Sequence, residues 1–212
     1  MLISHEEIIA AFNKVRVIKE QLDKACPGPQ GPVLRVMDLA WVVGDVYDLQ
    51  INMLEVDFHG EHLKGMCERY GNNTARVFVR ANLSLAEKRL VAVKEICHLF
   101  LDEEDDWSTV GAETIEGLLT DITLQAQNGE GLAKPPRPLV SESLALLAAH
   151  ELVYPRMYRD ADFEKLAKGT ATTASVALQH EIPPYVVGYC YRHHEVIDAV
   201  WAQIHAALDK AA

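Results

Sequence analysis

The sequence predicts a mainly helical α+β domain in which a small antiparallel sheet packs on one buried helix. Two observations predict this fold class. Apolar residues recur three and four positions apart through most of the chain, as in helices that bury one face. Between Gln50 and Asn82 the pattern changes to short extended stretches, two of which flank a turn as in a hairpin.

Composition supports one compact domain and disfavours several classes of protein. The chain has 212 residues, of which 49% are apolar and 24% charged, so it can bury a core. Its net charge of -11 disfavours nucleic acid as a partner, because phosphates would be repelled. No apolar run is long enough to cross a membrane and the N-terminus lacks a signal-peptide pattern, so we expect a cytoplasmic protein.

We expect residues 1–212 to form a single domain with three parts. A helical arm covers residues 1–34, the core covers residues 35–155, and further helices cover residues 156–212. Ser141 is expected to cap one of the core helices. The patterns predict helices over residues 4–25, 36–48, 84–101, 111–128, 141–154, 160–168, 171–180 and 184–208, and strands over residues 51–56, 64–70 and 75–81.

The chemistry-bearing segment is Lys94-Glu95-Ile96-Cys97-His98, in the helix that follows the hairpin. In an H-E-x-x-H motif the two histidines are four residues apart, so they share one helix face and can bind one zinc ion. The glutamate between them meets the metal-bound water. Here Lys94 stands where the first histidine would be. Taken alone, such a string is common on amphipathic helices.

Two segments in a fixed order give this string a context. The strand Arg76-Val77-Phe78-Val79-Arg80 leads through Ala81-Asn82-Leu83-Ser84 into the motif helix, and a later helix runs from Glu142 to Pro155. This order resembles the ImmA/IrrE family of zinc metallo-endopeptidases, over about residues 35 to 190. In the later helix the residues in register with the family pattern are Glu142, Ala145, Ala149, Leu152 and Pro155.

The resemblance implies the role of each matching residue. Glu95 would be the general base, while His98 and Glu142 would be two ligands of a catalytic zinc ion. The usual substrate would be a helix-turn-helix repressor encoded in a phage, a mobile element or a stress-response operon. Lys94 alters this site, because a protonated lysine repels a dication and offers no lone pair.

Three hypotheses for Lys94 remain open. In the one we favour, its ammonium takes roughly the place of the zinc, and a degenerate peptidase binds a protein partner, such as a repressor, without cutting it. In the second, an active zinc endopeptidase uses the rewired ligands His98, Glu142 and His150, with Tyr154 or His150 polarising the scissile carbonyl. In the third, the chain is a structural or interaction module in which the cleft has no role. The cofactor is therefore zinc if the chain is active, and none otherwise.

Overall fold

The computed structural model describes residues 3–26, 33–60, 62–103 and 137–211, and the helix predicted over residues 111–128 lies outside them. Seven helices and three strands occupy the described residues, so the prediction of a mainly helical α+β fold is confirmed. Their bounds are α1 (His5–Ala25), α2 (Val36–Tyr47), β1 (Gln50–Val56), β2 (Gly65–Arg69), β3 (Thr74–Arg80), α3 (Leu85–Leu101), α4 (Arg137–Val153), α5 (Arg156–Ala167), α6 (Thr173–His180) and α7 (Pro184–Ala211).

The three strands form one small mixed sheet in the order β1-β3-β2. The predicted hairpin is present, because β2 pairs antiparallel with β3. The expectation of a wholly antiparallel sheet is wrong, because β1 pairs parallel with β3. The chain reverses direction on entering β2 and again on entering β3, and β3 then lies between the other two. Alternation of apolar residues identifies the buried face of a strand, but it does not encode the direction of its neighbour.

Helix α3 lies at the centre of the fold, against β2 and β3 on one side and α4 on another. A capping box begins it, in which the Ser84 hydroxyl accepts from the Glu87 amide and the Glu87 carboxylate accepts from the Ser84 amide. Most of its residues after the first turn are buried, and so are Ala75, Val77 and Val79 on the facing side of β3. The sheet therefore packs on the helix that carries the motif, as predicted.

Helix α1 packs against α4, α2 and α7. Its buried face includes Phe12, Val15 and Ile18, and the Phe12 ring lies 5.3 Å from that of Trp201. The segment predicted as an N-terminal arm thus contributes to the core of the described structure.

Two predicted helix starts are wrong. Helix α4 begins at Arg137 rather than at Ser141, so Ser141 lies inside the helix, where its hydroxyl donates to Asp102 instead of capping. Helix α5 begins at Arg156 rather than at 160, and the Arg159 side chain in its first turn donates to the carbonyl of Tyr154. In the described ranges no helix is both long and apolar enough to cross a lipid bilayer.

Candidate functional site

Helices α3 and α4 bring four of the predicted site residues together. Lys94 and His98 are four residues apart and so face α4 from one side of α3. The Lys94 ammonium lies 2.6 Å from Glu142 Oε2 and 3.0 Å from Glu95 Oε1. His98 Nε2 lies 3.4 Å from the other oxygen of Glu142. Two stretches far apart in the sequence therefore meet in one cluster, which contains two cations and two carboxylates when His98 is protonated.

The charges of this cluster set the pKa values of its members. Burial alone would lower the pKa of Lys94, but the carboxylates of Glu95 and Glu142 outweigh it and raise that pKa above its ordinary value. Burial would raise the pKa of Glu142, yet its close contact with His98 and the charge of Lys94 lower it to about 2. Burial raises the pKa of Glu95, which Lys94 only partly offsets. Lys94 is therefore protonated at neutral pH and has no lone pair to offer a metal.

A third carboxylate, that of Asp102, orients His98. Asp102 Oδ2 lies 2.8 Å from His98 Nδ1, and the Ser141 hydroxyl donates to the other Asp102 oxygen over 2.7 Å. Burial would lower the pKa of His98, but its hydrogen bond to Asp102 and its close contact with Glu142 raise it to about 10. The sequence prediction missed the role of Asp102 because the acidic run that begins there was interpreted only as the end of the helix. The signal was present, because Asp102 follows His98 by four residues and so continues the same helix face.

The grouping of Ser141, His98 and Asp102 is not a nucleophilic triad. In such a triad the serine and the aspartate contact opposite nitrogens of the imidazole. Here the Ser141 hydroxyl lies 3.2 Å from His98 Nδ1, the same nitrogen that contacts Asp102. Ser141 is also buried and donates its proton to Asp102, so it is an orienting group rather than a nucleophile.

Part of the chain is similar to a known protein family. The family model of the IrrE N-terminal-like domain, of peptidase family M78, matches residues 47–125. Residues 47–125 are therefore similar to an IrrE N-terminal-like domain. The match includes Lys94, Glu95, His98 and Asp102 and ends before Glu142, which joins the site through the packing of α4 on α3. The resemblance inferred from the sequence is thereby confirmed.

Comparisons with individual proteins add little to this match. A Mycobacterium tuberculosis transcriptional regulator of known structure is 14% identical, with a TM-score of 0.47 over 89% of this chain and 51% of its own. The chain thus spans about half the length of that regulator. No curated protein matches the chain.

The residues present in this IrrE-like domain do not fit a zinc ion. His98 and Glu142 could each supply one donor, but the ammonium of Lys94 lies at the expected place of the third. Across residues 3–26, 33–60, 62–103 and 137–211, no three side chains of His, Cys, Asp or Glu converge as a metal site. What the cluster can do is hold Glu95 and Glu142 in fixed positions around a permanent cation.

The absence of a side chain at Gly65 of β2 leaves space for the Glu95 side chain of α3. A Cβ atom at this position would overlap Val91 Cγ1 and lie 2.8 Å from Glu95 Oε1. We expect Gly65→Ala to lower the free energy of unfolding by about 1–3 kcal/mol, because neither neighbour on α3 can retreat without disturbing the core. Urea unfolding measures this change. Gly71→Ala is the matched control, because nothing lies within 4 Å of its Cβ position; an equal loss in both variants would contradict the close approach.

The structure does not bring His150 and Tyr154 to the cluster. His150 follows Glu142 by eight residues of α4, a rise of about 12 Å along the helix. Its ring is buried 5.0 Å from that of Tyr189, and neither ring nitrogen has a hydrogen-bond partner among the described residues. The Tyr154 hydroxyl is buried and donates to Asp162. The rewired ligand set and the proposed oxyanion stabiliser are therefore not assembled by this geometry.

The buried His150 ring predicts an acid-sensitive contribution to stability. Burial, reinforced by the charge of Arg159, lowers the pKa of His150 to about 3. Between that value and the ordinary pKa of about 6.5, the unfolded chain binds a proton that the folded chain does not, so stability falls as pH falls through this window. We expect wild type to lose about 2 kcal/mol more than His150→Phe between pH 7 and pH 5, measured by urea unfolding at each pH. Equal losses would place the ring in contact with water.

Proposed function

We propose that this chain is a pseudopeptidase, an IrrE-like protein that binds a protein partner without cutting it. One observation carries the proposal: the Lys94 ammonium lies between Glu95 and Glu142, at 3.0 Å and 2.6 Å. In the active family the resemblance implies a zinc ion held by a histidine at this position. Here a fixed positive charge on the protein itself compensates the same carboxylates.

The energetics of the buried charges support this substitution. Glu95 is only 2% exposed, and an isolated carboxylate in such a place carries a large desolvation penalty. Lys94 offsets that penalty with a charge that cannot be removed by a chelator or by dilution. The site is therefore stable without metal, but it lacks the Lewis acid that would lower the pKa of a water molecule.

The cluster remains accessible to a partner on one side. The side chain of Lys94 is 18% exposed and that of Glu142 is 41% exposed, whereas Glu95 and His98 are almost fully buried. An ammonium has three N–H donors, and within the described residues Lys94 faces only two acceptors, Glu95 and Glu142. The third donor supports binding of a carbonyl or carboxylate oxygen presented by the partner.

Charge favours a protein over a nucleic acid as that partner. Helices α6 and α7 succeed each other with a helix-turn-helix spacing, yet Arg192 is the single Lys or Arg between Gly169 and Trp201. A DNA-reading helix needs phosphate contacts on its flanks. A cytoplasmic helix-turn-helix repressor, the substrate class that the family resemblance implies, is the partner we propose.

Metal content and binding test the proposal together. The chain is purified without a His tag, incubated with zinc and desalted, and its zinc is measured alongside calorimetric titration with a candidate repressor. We expect zinc far below one per chain, and binding that leaves the repressor intact by mass spectrometry. Stoichiometric zinc would overturn the metal-free site, and repressor cleavage that Glu95→Gln abolishes would establish the active peptidase instead.

A further inference from the structure

A second surface, which has no part in the proposed function, lies where the end of α1 meets α2. Helix α2 buries Leu39 and Val43 completely on its inner side. Trp41 and Val46, which line one hollow beside α1, are nevertheless 60% and 41% exposed. Neighbouring exposed apolar groups of this size mark an interaction surface, and a tryptophan is the residue most often central to one.

A hollow of about 220 Å³ opens beside the Trp41 ring, between α1 and α2. Trp41 and Val42 form its apolar wall, while Lys24 and Asp45 supply one positive and one negative charge. Neither charge forms an ion pair with any residue in the described ranges. The same face thus presents a projecting aromatic ring, a recess and two uncompensated charges of opposite sign.

This combination favours a self-complementary contact. A partner surface of one charge sign would place a like charge against either Lys24 or Asp45. A two-fold axis instead presents each patch with its own copy, so that Lys24 can meet an Asp45 and each Trp41 can meet a hollow.

We propose that this face, defined by Lys24, Trp41, Asp45 and Val46, is the interface of a homodimer. In it, each Trp41 ring occupies the hollow of the second copy, and each Lys24 pairs with Asp45 of that copy. The inference is independent of the cluster at Lys94, because no residue is shared between the two sites.

Sedimentation velocity over a wide range of protein concentration tests the interface. Wild type is expected to reach twice the chain mass of 23.6 kDa at the upper end of the range. Trp41→Ser should raise the dimer dissociation constant at least about 30-fold, as expected for a central aromatic anchor. Met157→Ser is the matched control, because Met157 is 76% exposed on α5, outside this face, and its loss should leave the dissociation constant unchanged.

Charge reversal separates this interface from a general loss of solubility or folding. Lys24→Glu and Asp45→Lys should each weaken the dimer, because like charges then meet at two places. A mixture of the two variants should restore wild-type affinity, because each contact in the mixed dimer again joins opposite charges. A monomer at every concentration, an unaffected Trp41→Ser dimer, or a mixture no tighter than either variant alone would overturn the proposal, and none of these results would alter the zinc measurement.

Discussion

Replacing Lys94 with histidine is expected to create a tight zinc site. An imidazole at position 94 shares a helix face with His98, whose Nε2 already lies 3.4 Å from Glu142 Oε1. His98 Nδ1 contacts the Asp102 carboxylate, and metal-bound histidines generally have such a partner on the nitrogen that does not bind the metal. One substitution would therefore remove the resident cation and supply the missing donor. We expect one zinc per chain, and a free energy of unfolding about 4 kcal/mol higher with zinc at a thousand times its dissociation constant than with chelator.

Three variants make the zinc prediction specific. Lys94→Gln removes the charge without supplying an imidazole, so it should bind no zinc. Adding His98→Ala to Lys94→His should abolish the gain, and adding Asp102→Asn should weaken zinc binding about 10- to 100-fold. If the Lys94→His protein folds but does not bind zinc, then His98 and Glu142 do not face each other as metal ligands do. The proposal that Lys94 stands in for the metal would then lose its geometric basis.

The part of the site that the sequence predicted depends on helical spacing and on two recognisable segments. The four-residue interval places Lys94 and His98 on one face whatever surrounds them, and the pattern around Glu142 identified the helix that packs opposite. Asp102 was missed because the acidic run that begins there was interpreted only as the end of the helix, although residue 102 follows His98 by four positions. The direction of β1 was missed for a related reason: which strand pairs with which, and in what sense, is decided by long-range packing that local periodicity does not record.

The sequence also did not reveal the buried ion pair between Glu151 and Arg159. Both residues are 2% exposed, and Arg159 Nη1 lies 2.5 Å from Glu151 Oε1. The Trp201 indole donates to the other Glu151 oxygen over 2.9 Å, and the Arg159 guanidinium donates to the carbonyls of Tyr154 and His150. The pair therefore joins α4, α5 and α7. A charged residue in a sequence window looks solvent-exposed until its distant partner is known.

Removing one partner of this pair is expected to lower the free energy of unfolding more than any other single substitution proposed above. Arg159→Met leaves the buried Glu151 carboxylate without its direct ion-pair partner, with only the charge of Lys19 nearby, and we expect the free energy of unfolding to fall by about 3–5 kcal/mol. The double variant Arg159→Met with Glu151→Gln should lose less stability than Arg159→Met alone, because the unpaired carboxylate is then absent. Urea unfolding of wild type, both single variants and the double variant gives the coupling free energy directly.

Lys168→Met is the matched control for the Arg159 measurement. Lys168 pairs with Glu164 at the same 2.5 Å distance as Arg159 with Glu151, but both side chains are about two-thirds exposed, at 64% and 65%. Solvent screens such a pair, so its loss should change stability by no more than about 0.5 kcal/mol. The contrast between two pairs of equal length isolates burial as the cause. If Arg159→Met proves as mild as Lys168→Met, water must reach Glu151, and the three helices must be held together mainly by their apolar contacts.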